Sequence, residues 1–592
     1  MTRGRKARAW TAACLTAITA TAITAAGQGA SRRAEHDGPA APADFLHAHD
    51  GQIVDGAGRA VVLRGMGLGG WMLQEGYMLN AGGLTQHVMR RKMAELIGPV
   101  ATEQFYAAWL DNFVTKADID ALAAWGFNSV RLPMHYELLT PSVEDEPVQG
   151  RNTWKEAGFR RIDTLLAWCK ANNMYLILDL HAAPGGQGTD LPIADRDPAK
   201  PSLWESSANQ DKMVALWAEI ARRYKDEPHV AGYDLLNEPN WDLDGSGNEH
   251  GCKVKEQAPL VALYKRTAAA IRQVDPNHLL IIEGNCWGNN YAGVVPDWDA
   301  NMALSFHRYW VRPGQGAIRD VLALRTRTGL PVWLGESGEN SNDWFAGMVA
   351  TVEADGIGWA WWTLKKFGFS SPLQIRPNPG FQRVTDYWLG KGPRPSPEEA
   401  RAALMRLATS DVRFEHNERH PDVAYALRQA PGDVSGAPYG EHAVGAAGGR
   451  VPAADFDLGR NGVAYFSRTP ADYHVSDGGP PARYNPGGAY RNDPVDLARD
   501  AGGAPYVRSL GAGEWLRYTV TSPGGAYWLR VRDAAGAPAG VAVAVNGAAV
   551  PNGPAGGAVA VTLLPGRNTL VLRSERDGTS LRAIEFESDA GR

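Results

Sequence analysis

Two glutamates each close an apolar run: Glu238 in YDLLNEP and Glu336 in VWLGES. A pair of carboxyl groups at a fixed separation can cleave a glycosidic bond, one protonating the departing oxygen while the other attacks or assists at the anomeric carbon. Two strands of one rigid scaffold would hold that separation. Neither tripeptide decides the matter alone, because Asn-Glu-Pro also suits an ordinary turn. The other run ends sharpen the reading: Arg131 in RLP, His181 in LDLH, His307 and Tyr309 in SFHRYW, and Trp361 and Trp362 in GWAWW. His307 and Tyr309 are two apart, so both project from one side of a strand. Polar and aromatic groups at successive strand ends are what a sugar site needs.

The elements that must position these residues are legible from about Gly51 to Gln429. Eight strand candidates (AVVLRGM, FNSVRLP, MYLILDLH, VAGYDLLNE, HLLIIEG, MALSFHRYW, PVWLGES and GIGWAWW) alternate with amphipathic stretches such as DKMVALWAEIARRYKDE and LVALYKRTAAAIRQVDP. Strict alternation over this length predicts an α/β fold, an eight-stranded parallel β/α (TIM) barrel over 44–430. The near-continuous apolar runs fit strands buried on both faces. Such barrels carry their active sites at the C-terminal strand ends, where the residues above fall. APGDVSGAPYGEHAVGAAGG is Gly/Ala/Pro/Ser-rich and predicts a flexible linker over 431–450. From Val451 short alternating runs such as EWLRYTV, YWLRVRD and NTLVLRS predict an all-β, jelly-roll-like sandwich over 451–590.

Bulk properties narrow the partners. The 592 residues exceed one hydrophobic core, and a net charge of −5 with mixed signs argues against nucleic acid or an anionic membrane. The 20 Trp suit flat platforms for pyranose rings, although most of them belong in a core. MTRGRKAR followed by the Ala/Thr-rich stretch to Ala26 reads as an export signal, 1–26, and predicts a secreted protein. Past that signal three cysteines allow one disulfide. Cys252 and Cys286, both in loops after strands, are the candidate pair, and Cys169 falls on a helix face. No spacing suggests zinc, so neither metal nor cofactor is expected. A monomer is expected.

The stretch from about Val61 to Lys366 resembles glycoside hydrolase family 5, the cellulase superfamily of retaining barrels, its motifs falling in the family's order. The resemblance implies that Glu238 is the acid/base and Glu336 the nucleophile, with Asn237 on the sugar 2-hydroxyl, and Arg131 and Tyr309 on the nucleophile. It further implies that His181 and His307 are subsite and acid/base partners, and that a Trp after strand eight lies beneath the sugar. Trp362, placed before Thr363, is preferred over Trp361. His135, Trp71, Trp204, Glu283, Asn285 and Trp287 are further subsite candidates. The C-terminal stretch resembles carbohydrate-binding module family 6 through DFDLGRNGVAYFS, GGAYRNDPVDL and GAGEWLRYTV. That likeness implies sugar contact near Tyr490 and Arg491, and more weakly Tyr506. Ala454 departs from the Glu that many members use for a structural calcium, and SERDGTSLR lacks the expected Trp and Asn.

Together these observations predict a secreted retaining hydrolase of a β-linked, glucan-type polysaccharide or oligosaccharide. The alternatives are a transglycosylase on the same site and a non-catalytic carbohydrate-binding protein; the intact glutamate pair weighs against the second.

Overall fold

The computed structural model describes residues 44–429, 432–468, 488–551 and 557–588. The export signal expected at 1–26 lies outside them. Eight parallel strands close a barrel: β1 (Arg64–Gly67), β2 (Ser129–His135), β3 (Tyr175–Ala182), β4 (Val230–Asp234), β5 (Leu279–Glu283), β6 (Met302–Arg308), β7 (Val332–Gly338) and β8 (Trp359–Trp362). Each corresponds in order to one of the eight runs read from the sequence. β3, YLILDLHA, is buried along its whole length. The helix Ser207–Tyr224 shows how the outer layer is held. Met213, Leu216, Trp217, Ile220 and Tyr224 are buried at helical spacing, and the Ser206 side chain caps the first turn by accepting from the Asn209 N–H. Truncating a side chain such as Trp217 to Ala would cost about 3–5 kcal/mol of stability. Gly335 is required where β7 meets β6, since a Cβ there would lie 2.2 Å from Ser305 Oγ. That close approach brings Glu336 level with His307 in the strand register.

Beyond the barrel, antiparallel strands build a sheet around the long Trp515–Arg532 and Ala558–Ser574 pair. A smaller sheet of Asp496–Arg499, Pro505–Leu510 and Thr579–Leu581 accompanies it. Leu516, Tyr518 and Val520 alternate into a separate core with Phe456, Leu570 and Phe586.

The described part of the expected linker is not a free tether. Ala437 bridges to Leu458, Ala443 to Thr521, and Val444 is buried. A Gly/Ala-rich stretch has little core of its own, yet its backbone pairs readily with an exposed strand edge. Barrel and sandwich also share buried polar contacts. Asn342 Nδ2 donates to Asp422 Oδ2 (2.7 Å) and Asp493 Oδ1 (2.9 Å). Asn492 Nδ2 donates to the Asn340 carbonyl (2.8 Å), and the Tyr465 hydroxyl to Asp343 (2.8 Å). Asn340, Asn342 and Asp343 directly follow β7, the strand that carries Glu336.

Candidate active site

Arg131 is the hub. It is fully buried within β2, and its guanidinium reaches groups from four other strands. Nε donates to Asp234 Oδ2 (2.9 Å), Nη1 to Glu336 Oε1 (2.5 Å) and Nη2 to Asn237 Oδ1 (2.8 Å); Asp179 Oδ2 and Glu283 Oε1 each lie 3.2 Å from Nη2. One cation facing four carboxyl groups cannot balance them all in a buried site. Burial pushes Asp179 and Asp234 well above the usual carboxylate range despite Arg131. Both brace the guanidinium from the barrel interior.

The two candidate catalytic glutamates occupy contrasting surroundings. Glu336 is held at both oxygens: Oε1 accepts from Arg131 and Oε2 from the Tyr309 hydroxyl at 2.8 Å. Glu238 follows β4 in a left-handed backbone conformation (φ +42°), a strained state that functional sites tolerate. Its backbone N–H donates to Glu283 Oε2 (2.7 Å), which fixes that conformation. Burial raises the Glu238 carboxyl to about 7, against the opposing pull of His307. His307 Nδ1 lies 2.6 Å from Glu238 Oε1, and Nε2 lies 3.2 Å from Glu283 Oε1. Burial opposes charge on this ring, but Glu283 and Glu336 outweigh it and hold His307 well above its ordinary value. Glu283 in turn is held below the usual range: burial opposes its charge, but His307 and Arg131 outweigh it. An oxygen of Glu238, a ring nitrogen of His307 and an oxygen of Glu336 lie within 4.8 Å of one another. These are also metal-ligand types. His307 Nδ1 is already engaged by Glu238 Oε1 at 2.6 Å.

The remaining groups shape a cavity of about 1180 Å³ over this pair. Trp362 ends β8, lines the cavity and stacks parallel to His181 (5.3 Å between centroids, 5° between planes); its Nε1 donates to the Tyr77 hydroxyl at 2.8 Å. Trp361 packs into the core against Trp344, Phe345 and Trp359. Burial pushes His181 down to about 3, so the ring is neutral. Its Nδ1 donates to Asp179 (2.7 Å) and Nε2 accepts from Asn237 Nδ2 (3.3 Å). Asn237 is thus oriented from both sides, by His181 and Arg131.

Among the sequence candidates, Arg131, His181, Asn237, Glu238, His307, Tyr309, Glu336 and Trp362 converge here, and Trp287 lines the same cavity. Glu283 is a buried partner of His307 and Arg131 rather than a subsite group. Asn285 and Trp204 are spent within loops, bonded to the backbone of Trp241 and Gln187.

Three candidates lie away from this cavity. His135 does not line this cavity; it donates to Asp195 (3.1 Å) beside a second cavity that also contains Trp71. Tyr490 is used internally, its hydroxyl bonded to Asp455 (2.6 Å) and its carbonyl facing His420 Nδ1 of the barrel (3.1 Å). Arg491 is fully buried against Phe456. An aromatic residue and a cation in a loop look like a sugar platform in sequence; here the Tyr490 carbonyl meets His420 and Arg491 is packed inside the sandwich.

Four functional residues escaped the sequence reading. Asp179 and Asp234 sit inside apolar strand runs, where only the two-residue offset of Asp179 from His181 signals a shared face. Glu75 and Tyr77, in the loop after β1, line the cavity with no periodic pattern to reveal them.

The chain is similar to known proteins over the barrel. Residues 93–368 match the model of the cellulase family, glycosyl hydrolase family 5. A β-xylosidase of Phanerodontia chrysosporium is 28% identical over 438 residues, 66% of this chain and 87% of that protein. Endoglucanase C of Acetivibrio thermocellus is 31% identical over 204 residues, 34% of this chain and 51% of that protein, so the chain spans about half of that relative. The crystal structure of the catalytic domain of Thermobifida fusca endoglucanase Cel5A matches at 19% identity and a TM-score of 0.37, covering 61% of this chain and 96% of that one. Closed barrel, paired glutamates and family match together support a β-glycoside hydrolase domain over this stretch.

Proposed function

We propose that the chain is an exported, retaining β-glycoside hydrolase acting by double displacement, without a cofactor, on a β-linked glucan-type or related saccharide. The observation that carries the reading is the close spacing of Glu238 and Glu336 in opposite settings. One carboxyl is raised to about 7 by burial, and the other is bonded at both oxygens by Arg131 and Tyr309. A buried carboxyl titrating near neutrality can give up and recover a proton at working pH. In the first step a Glu336 oxygen bonds to the anomeric carbon, the glycosidic C–O bond breaks, and the Glu238 proton goes to the departing oxygen. In the second step Glu238 takes a proton from water, whose oxygen attacks the anomeric carbon and returns Glu336 as carboxylate. Trp362 would underlie the sugar and Asn237 would meet its 2-hydroxyl.

Relatives act as a β-xylosidase, an endoglucanase and, in Aspergillus niger, a probable glucan 1,3-β-glucosidase, which brackets the substrate as β-linked glucose or xylose. Export rests on the 1–26 segment, and among the described residues no helix is long and apolar enough to cross a membrane. The proposed division keeps a barrel at 44–430 and a sandwich at 451–590, with the sandwich bracing the loop after β7. A 2-deoxy-2-fluoro glycosyl fluoride tests the chemistry: it should add one glycosyl mass to the peptide containing Glu336. Labelling of another residue would remove the nucleophile assignment.

A further inference from the structure

The loop after β3, residues 183–206, separates two cavities. On one side Asp190, Pro192 and Ile193 wall the catalytic cavity next to Glu75 and Tyr77. A few residues on, Asp195 faces a second cavity of about 430 Å³, which holds Trp71, Tyr106 and His135. Asp195 pins this partition. Oδ1 accepts from both the backbone N–H and Nδ1 of His87, each at 2.8 Å, and Oδ2 accepts from His135 Nε2 at 3.1 Å. His135 ends β2, while His87 opens the helix Gln86–Ile97 that follows β1. The other flank of the loop is tied to the segment after β4. The N–H groups of Thr189 and Asp190 both donate to Asn240 Oδ1 (2.8 and 2.9 Å), and Arg196 lies over the Trp241 ring at 4.9 Å. The loop is therefore a fixed wall across the rim, fastened at both ends.

Position gives this wall a consequence, resting on the catalytic roles proposed above. Glu238 protonates the departing group, so the retained sugar lies on the Trp362 side, beside Glu75, Tyr77 and the partition. The leaving group lies on the side of His307, Trp287 and the loop after β6. A chain that continued past the retained sugar would have to cross the Asp190–Asp195 wall into the second cavity. We infer that the pinned partition makes the catalytic cavity blind on its glycone side, so that the enzyme attacks chain ends and removes a terminal sugar or a very short unit from the non-reducing end. Asp195 acts on specificity by positioning the wall and touches no reacting atom.

The test uses the full chain on soluble mixed-linkage β-glucan, laminarin, carboxymethylcellulose and arabinoxylan, following viscosity, reducing ends and product size together. Wild type should raise reducing ends and release mono- or disaccharide while viscosity scarcely falls. Asp195→Ala, which frees both histidines, should let longer products appear and viscosity fall. Hydrolysis of a small aryl β-glycoside should stay within about threefold of wild type, because the transition-state contacts are untouched. His87→Ala, which removes one tie only, should shift products in the same direction and serves if Asp195→Ala does not fold. An early fall in viscosity with wild type would overturn the inference, as would an unchanged product profile in a folded variant with the wall released. Failure of wild type to cleave any glycoside would strike the proposed hydrolase function instead.

Discussion

His307 places Nδ1 2.6 Å from Oε1 of Glu238, so the proposed acid shares a hydrogen bond with a ring whose charged form neighbouring carboxylates favour. The contact makes Glu238 adjustable. Burial drives its carboxyl up, His307 draws it down, and the balance stands at about 7.

The first prediction follows from that balance. Glu238 must be protonated for the first step, so kcat/KM should decline on the alkaline side with a midpoint near 7. Replacing His307 with Gln removes the donated bond and the positive charge that stabilise the carboxylate. Glu238 then becomes harder to ionise, and the alkaline limb should move to higher pH. A pH profile measured on a glycoside with a poor leaving group, which needs protonation to depart, checks both statements. A limb that moves downward, or not at all, would assign it to another group.

Glu336→Ala should lower turnover by at least about a thousandfold while leaving the melting temperature nearly unchanged. Glu238→Ala should behave differently with a good leaving group. Its first step should proceed, the glycosyl enzyme should accumulate, and azide should restore turnover by attacking in place of activated water. The isolated product would be the β-glycosyl azide. Near-normal activity in either variant would discard the pair.

The part of this site that could be read from sequence is the part whose chemistry sits at strand ends. Glu238, Glu336, His181 and Trp362 each close an apolar run, and a closed barrel gathers such ends on one face. Asp179 and Asp234 lie within those runs, where surrounding hydrophobicity conceals a carboxyl. Glu75 and Tyr77 belong to a loop, and loop geometry carries no period. His135 shows the converse: in sequence a strand-end histidine resembles a ligand group, and here its ring is bonded to Asp195. The stretch at 431–450 was read from composition, which reports a lack of core-forming residues and says nothing of backbone pairing.

That last difference changes what truncation should do. Ending the chain after Gln429 removes Tyr465, Asn492 and Asp493, the partners of Asp343, Asn342 and Asp422 beside β7. Such a barrel should melt earlier and turn over even a small aryl glycoside more slowly, because the loop following Glu336 loses its anchor. Within the intact chain, Asp422→Ala orphans the buried donors of Asn342 and Asn492 and should cost about 1–3 kcal/mol for each. Calorimetry on both variants checks the expectation. Full stability and activity after truncation would show the sandwich to be a passenger.

The last prediction concerns stereochemistry, because it tests the mechanism without knowledge of the sugar. Inverting enzymes keep their carboxyl groups roughly 6.5–9.5 Å apart, leaving room for a water beneath the anomeric carbon, whereas retaining enzymes hold them at about 5–5.5 Å. An oxygen of Glu238 and an oxygen of Glu336 lie within 4.8 Å of one another, and the proposed mechanism has Glu336 attack directly with no interposed water. Arg131 and Tyr309 fix both Glu336 oxygens, and Gly335 lets β7 lie close to β6, so this spacing is built into the barrel and does not depend on a mobile loop. Two successive displacements at one carbon restore its configuration. Proton NMR in the first minutes of hydrolysis should therefore show the β-anomer before mutarotation populates the α-form. An α-anomer as first product would overturn the nucleophilic role of Glu336 even if both glutamates proved essential.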